Sequence, residues 1–273
     1  MAELKKRGPL AANEFQDYVA SKRSDGWTSA SDVSRMLFHL LLLGEAMVFG
    51  RRGNQNLWGL AVDFLPDWVD KKVLSQQEFE REAAQKALRA LGTATAREIH
   101  YYFPRARYLQ LEETLKGLKE ESKIRRVHVK ELGARDERYI HEEDVPAIES
   151  VVSDEWEPRM TFLAPFDNLI ADHSRAGRLF GFDYVHENFL PKEKRKFGTF
   201  VYPILYGDRL IGRADLLREK AAQNLRVIGL FAEPAAPKNS KVLSKLWDTL
   251  TDLAGFLGAR EVLYPARFPS DWE

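Results

Sequence analysis

Residues 31–60, SDVSRMLFHLLLLGEAMVFGRRGNQNLWGL, change period in the middle, and that change decides the fold. Val33, Met36, Leu37, Leu40 and Leu41 recur at helical spacing, so one side of a helix is apolar while Ser34, Arg35, Phe38 and His39 lie elsewhere. Ser29 or Ser31 can cap its first turn, and Gly44 can take the left-handed conformation that ends it. Beyond Gly44 two short apolar runs, Met47-Val48-Phe49 and Leu57-Trp58 with Leu60, flank GRRGN. Gly50, Gly53 and Asn54 are the residue types that supply positive φ in a tight hairpin, which puts Arg51 and Arg52 at its tip with Gln55 and Asn56 just behind.

A helix with a polar outer side, followed by a hairpin carrying two guanidiniums, is the outline of a winged-helix DNA-binding unit. A solvated hairpin whose arginines serve solubility has the same local pattern. Upstream, residues 4–20 read as two short helices interrupted at Gly8-Pro9, with Asn13 as a cap, and Lys22 and Arg23 fall in the loop that follows. Downstream, Pro66 breaks the chain within DFLPDWVD, and the same order of elements then returns. Phe79, Ala83, Ala87, Leu88 and Leu91 form one helix face ending at Gly92; Thr93 or Thr95 caps a short second helix; Leu111, Leu115 and Leu118 line a third. A second hairpin runs from Ile124 through Gly133 to Ile140, and Arg125, Arg126, His128 and Lys130 charge it.

The acidic, proline-containing stretch Asp144–Pro158 reads as a linker. After it come a strand pair around Gly207-Asp208, a third strand at Leu225–Phe231 and a long amphipathic helix between Pro234 and Gly258 with Ser240 as its cap. A last short strand, Glu261–Tyr264, can return to the sheet. The predicted class is therefore α+β: tandem winged-helix units at 1–72 and 73–146, then an antiparallel β-barrel-like domain at 147–273.

Composition narrows the function classes. Lys+Arg 41 balances Asp+Glu 41, so attraction to a polyanion must come from local patches such as Lys192–Lys196, KEKRK, with Lys194 and Arg195 at its centre. The absence of Cys excludes disulfides, thiol nucleophiles and thiolate metal sites. The six histidines show no metal-binding spacing, so no locally built metal site is expected. Asp167, Asp172, His173 and Asp183 could form a hydrolytic group, although such residues commonly cap turns. No apolar run reaches the roughly 18 residues of a membrane span, the N-terminus carries no apolar leader core, and a cytoplasmic protein with no legible protein partner is the expectation.

GPLAANEF at 8–15, GEAMVFGRRGNQNLWGL at 44–60, LAPFDNLIADHSRAGRLFGFDY at 163–184 and YPILYGDRLIGR at 202–213 together resemble the YcaQ/AlkZ family of bacterial winged-helix DNA glycosylases, in collinear order over most of the chain. The resemblance implies a cradle for double-stranded DNA and cofactor-free hydrolysis of the N-glycosidic bond of alkylated or cross-linked purines. On that resemblance this chain begins at what looks like the second of three winged-helix units, and the family's Gln-apolar-Gln or Gln-apolar-Asp motif belongs to the first. None of the seven glutamines here begins such a motif. Gln110-Leu111-Glu112 comes nearest, with an amide to orient water and a carboxylate to act as base, but it falls at the start of a helix where both are ordinary exposed residues. The expected DNA-binding residues are Arg35, Arg51, Arg52, Gln55, Arg125, Arg126, Lys130, Lys194 and Arg195, and the alternative is a non-enzymatic winged-helix DNA-binding module or transcriptional regulator.

Overall fold

The computed structural model describes residues 1–16, 31–103, 106–129, 132–133, 136–153, 155–234, 236–237, 240–265, 269 and 272. They form two compact units, Met1–Val73 and Leu74–Glu273, of mixed α+β composition.

The first unit runs α1 (Ala2–Arg7), β1 (Leu10–Ala11), a 3-10 turn at Ala12–Glu14, α2 (Asp32–Leu42), β2 (Ala46–Arg52), β3 (Gln55–Leu60) and α3 (Ala61–Phe64). Its sheet has the order β1-β3-β2, because the first strand pairs with the outgoing arm of the hairpin, Leu10 opposite Trp58. Leu4, Leu10, Leu37, Ala46, Trp58 and Leu60 make the core. The Ser31 hydroxyl accepts the Ser34 amide at 3.2 Å and starts α2; Gly44, at φ +73°, follows its last turn.

Three expectations are corrected here. Of the two expected N-terminal helices α1 forms; among the described residues of the second, 10–14 make a strand and a 3-10 turn. Strand β3 offers this segment a ladder, Leu10 opposite Trp58 and Ala11 opposite Leu57. The buried side of α2 is narrower than its sequence implies: Leu37 is buried, Val33 and Leu40 partly so, but Met36 is 58% exposed and Leu41 38%. A three-strand sheet covers a single stripe of a helix, and apolar residues one position off that stripe remain outside. In the hairpin, positive φ is needed only at Gly53 (+60°), the first of the two turn residues between Arg52 and Gln55, whereas Asn54 is not in that region. A two-residue turn with glycine at its first central position matches the right-handed twist of the strands. Gly50 serves instead at a bulge, where the register slips between Val48 and Gly50 and leaves Phe49 to stack on Phe64 at 4.6 Å.

The second unit opens with the same sequence of elements: α4 (Gln76–Leu91), β4 (Thr93–Ala94), α5 (Ala96–Tyr102), α6 (Leu111–Glu120), β5 (Ile124–His128) and β6 (Glu137–His141), with sheet order β4-β6-β5. Reciprocal caps fix two of these helices: Ser75 with Glu78 at α4, Thr95 with Glu98 at α5. Ala84, Ala87, Leu88, Ile99, Leu115 and Leu118 close the core between them. The stretch expected to be a linker contains α7 (Val145–Val152). Pro146 lies in its first turn, where a missing N–H costs nothing, so it helps to start a helix here.

The remaining elements are β7 (Met160–Phe162), α8 (His173–Phe180), β8 (Val201–Tyr206), β9 (Arg209–Glu219), β10 (Asn224–Ala232), α9 (Ser240–Phe256) and β11 (Glu261–Leu263). They build one curled sheet ordered β11-β10-β9-β8-β7, with α9 packed on it through Val242, Leu246, Leu250 and Ala254. Each of the two fully buried leucines of α9 contributes roughly 2–3 kcal/mol of transfer free energy. The sheet departs from the expected all-antiparallel barrel at one edge, where β11 pairs parallel with β10, Asn224 opposite Glu261. The intervening helix α9 carries the chain back across the sheet, and a helical crossover returns a strand parallel to its predecessor. Bulges between Val227 and Gly229 and between Ile204 and Leu205 supply the curl.

Candidate nucleic-acid interface

In the first unit the hairpin lifts Arg51, Arg52, Gln55 and Asn56 into solvent as cross-strand pairs, Arg51 opposite Asn56 and Arg52 opposite Gln55. The two guanidiniums differ. Arg52 donates to Glu14 Oε1 at 2.8 Å, and Glu14 is itself anchored by the Ala11 amide at 2.7 Å. The Ala11 N–H, then the Arg52 guanidinium, hold the Glu14 carboxyl below the usual carboxylate range. Arg51 has no partner among the described residues. Gln55 and Asn56 line a shallow cleft of about 280 Å³ with Asn13, Ser34 and Trp58. Arg35 projects from α2 and pairs with Asp32 one turn earlier. Lys22 and Arg23 lie outside the described residues.

In the second unit the two arginines Arg125 and Arg126 of the hairpin are occupied. Arg125 is paired with Glu142, and Arg126 with Glu137 at 2.6 Å. Lys130 lies outside the described residues. Lys194 ends a 3-10 turn, Lys192–Lys194, and is exposed. Arg195 is bound to its own loop, donating to the Leu190 carbonyl and Thr199 Oγ1, both at 2.9 Å. That loop is held by buried acids. Glu187 accepts the amides of Lys196, Phe197 and Gly198 at 2.8–3.1 Å, and Asp215 those of Thr199 and Phe200. Arg213 is sandwiched between the rings of Phe182 and Phe197, 4.2 and 4.4 Å from their centroids.

The catalytic candidates do not converge. Gln110 is the N-cap of α6 and Glu112 stands in its first turn; both are exposed, and only Gln110 lines the cleft of about 430 Å³ shared with Gln76, Glu80 and Thr114. Glu80 in that cleft is consumed by structure, accepting the Leu109 amide at 2.7 Å, the Gln110 amide at 3.0 Å and the Gln76 side chain at 2.8 Å. The Asp167–Asp183 group resolves into turn chemistry: Asp167 accepts the Leu169 amide, Asp172 caps α8 through the Arg175 amide, and Asp183 contributes a carbonyl to Arg213. Among the described residues no group of three or more His, Asp or Glu side chains is placed to hold a metal ion. Nor, among them, is any helix long and apolar enough to cross a membrane.

One constellation escaped the sequence reading. Glu98, buried at the start of α5, accepts Arg138 at 3.0 Å and Arg178 at 2.7 Å as well as the Thr95 amide at 2.9 Å. Arg175, one turn before Arg178 on α8, reaches the Leu91 and Thr93 carbonyls at 2.7 and 3.0 Å. The spacing HSRAGR does place both arginines on one side of a helix. Their partner stands about 80 positions earlier, and no local pattern points to it.

A family model described as DNA glycosylase AlkZ-like matches residues 1–256. Among solved structures, the DNA glycosylase AlkZ of Streptomyces sahachiroi superposes with a TM-score of 0.53 at 17% identity, over 81% of this chain and 55% of that one. The present chain thus spans about half the length of that protein, and the likeness is one of fold. Since the family model runs across both units and over most of the curled sheet, the chain belongs to the AlkZ-like DNA glycosylase family.

Proposed function

We propose that this chain is a duplex-DNA-binding member of its family, acting in the cytoplasm in the repair of alkylated or cross-linked DNA. In this reading residues 1–72 and 73–146 are tandem winged-helix domains and 147–273 a half-barrel domain. The observation that carries it is the first hairpin, whose tip presents Arg51, unpaired among the described residues, beside Arg52, Gln55 and Asn56. Guanidiniums at an exposed turn suit phosphate contacts, and amides beside them suit base edges. The common topology of the two helical parts, with the first strand beside the third, supports the tandem reading. Arg35, Arg125, Arg126, Lys194 and the Lys130 position extend the basic contacts, each wing arginine exchanging an acid for a phosphate.

Binding of a 20-base-pair duplex, followed by anisotropy across a salt series, tests this. Each lost phosphate contact lowers the salt slope by about 0.9, so Arg51→Ala with Arg52→Ala flattens it by between one and two contacts' worth. An unchanged slope removes the hairpin from the interface.

The second reading, a binding module without base-release chemistry, is favoured by the exposure of Gln110 and Glu112 at the start of α6, where Gln110 lines the neighbouring cleft and Glu112 does not. Release of N7-methylguanine from a duplex decides between the two. Abasic product above spontaneous depurination, lost on Gln110→Ala or Glu112→Ala, assigns hydrolysis to that pair. No product from a folded, duplex-binding chain supports the module.

A further inference from the structure

Within the second unit, α5 and α8 flank a cleft of about 770 Å³, inside the range of small-molecule sites. Three guanidiniums line it, Arg97, Arg175 and Arg178, against two carboxylates, Glu98 and Asp172. The acids are already committed. Glu98 accepts from Thr95, Arg138 and Arg178, and Asp172 caps the Arg175 amide. Arg175 is left short. Its side chain is only 3% exposed; Nη2 serves two carbonyls, while Nε stops 3.8 Å from Glu98 Oε1 and neither Nε nor Nη1 has a hydrogen-bond partner.

A buried cation with open donors is destabilising unless an anion completes it. Burial accordingly pushes the Arg175 guanidinium below its ordinary pKa. At the mouth of the cleft Arg97 and Arg178 are solvent-accessible, and the Tyr101 ring is 61% exposed with the Arg97 guanidinium 5.7 Å from its centroid. Planar, forked donors suit a tetrahedral oxyanion, and an exposed tyrosine face suits a base.

We propose that this cleft is a nucleotide-phosphate site: a phosphate group seated among Arg97, Arg175 and Arg178, with the attached base stacked on Tyr101. The site belongs wholly to the second unit, and it stands or falls without the duplex reading above.

Calorimetric titration of the full chain with inorganic phosphate and with adenosine monophosphate tests it, each variant first shown folded by circular dichroism. Saturable binding of both is expected, the nucleotide about tenfold tighter through the stacked base. Arg97→Gln, an exposed position, and Arg178→Gln each weaken both ligands about tenfold or more, while Tyr101→Ala reduces the nucleotide to the affinity of phosphate. Lys116→Gln, on the outer side of α6, changes neither. The absence of saturable binding, or binding indifferent to Arg97 and Arg178, overturns the site; equal affinity for the two ligands, indifferent to Tyr101, overturns the nucleotide assignment. Competition by a single-stranded 12-mer then separates the two sources of the phosphate. Displacement of adenosine monophosphate identifies a nucleic-acid strand, and failure to displace it identifies a free nucleotide.

Discussion

Replacing Glu98 by Gln isolates the buried charge cluster that joins α5, β6 and α8. Shape is nearly conserved, but the carboxylate shared by Arg138 and Arg178 becomes neutral, and one of its oxygens becomes an N–H aimed at donors. Arg138 is fully buried and Arg175 is 2% exposed, so neither can turn to water. Breaking a buried pair costs about 3–5 kcal/mol because a charge is left behind. Asp136, which accepts Arg138 Nη2 at 3.2 Å, retains part of the compensation and sets the expectation near 3 kcal/mol. With a urea m-value of about 2–3 kcal/mol/M, the unfolding midpoint falls by about 1 M. Circular dichroism and tryptophan fluorescence give the midpoint. Hydrogen exchange gives the place, since amides of α5 and α8 lose protection while those of α1 and β2, in the other unit, do not. Glu98→Gln combined with Arg138→Gln loses less than the sum of the two changes. A cost under about 1 kcal/mol, or strict additivity, refutes the idea that this carboxylate holds the elements together.

Other consequences are more local. A Cβ at Gly198, where φ is +149°, falls 2.0 Å from Asp215 Oδ2, so Gly198→Ala costs about 3 kcal/mol in thermal unfolding and loosens the 191–200 loop. Burial raises the Glu187 carboxyl, but three backbone N–H groups outweigh it and hold the group below its ordinary 4.5. Its stabilisation is therefore present above pH 4.5 and lost as pH falls through the lower folded value; Glu187→Gln costs about 2 kcal/mol at pH 7 and removes that part of the acid dependence, read from urea midpoints between pH 3 and 6. Burial pushes the Tyr184 hydroxyl, which donates to the Val201 carbonyl at 3.1 Å, up to about 12. Its contribution is complete below pH 10 and disappears between 10 and 12. In an ultraviolet titration Tyr184→Phe removes one late tyrosine while Tyr108, also pushed to about 12, remains.

Elements whose information is local were legible before the fold. The Leu246-Leu250-Ala254 stripe of α9, a threonine cap at Thr93 or Thr95, the first hairpin and the β8–β9 pair about Gly207-Asp208 each state their geometry within about eight residues, although which of Gly50, Gly53 and Asn54 takes positive φ was settled only by the strand register. Strands β1, β4 and β7 span only two or three residues, too few to carry a period, and exist because a longer neighbour offers a ladder. The parallel edge at β11 depends on where α9 delivers the chain, and α7 was hidden by a composition suited to a linker. The candidate site divides in the same way. Arg51 at a turn is local information, whereas the Glu98–Arg175–Arg178 cluster exists only once α8 meets α5.

The zero net charge acquires a structural meaning from these pairings. Arg35, Arg52, Arg125 and Arg126, all candidates for contacting a polyanion, each hold an acid in the absence of one. Such pairs are half in water, where ion pairs are weak and readily exchanged. They keep each guanidinium extended and placed, and a phosphate diester replacing the acid regains the charge contact while releasing counterions from the strand. Buried arginines behave oppositely. Arg138 and Arg213, with partners that cannot leave, serve the fold; the Arg138 Nε lies 3.0 Å from Asp136 Oδ1, whereas Arg175 is buried with both Nε and Nη1 lacking a hydrogen-bond partner among the described residues. Exposure and pairing together therefore sort these arginines, among the described residues, into those that can trade partners, those that cannot, and Arg175, whose open donors call for an anion.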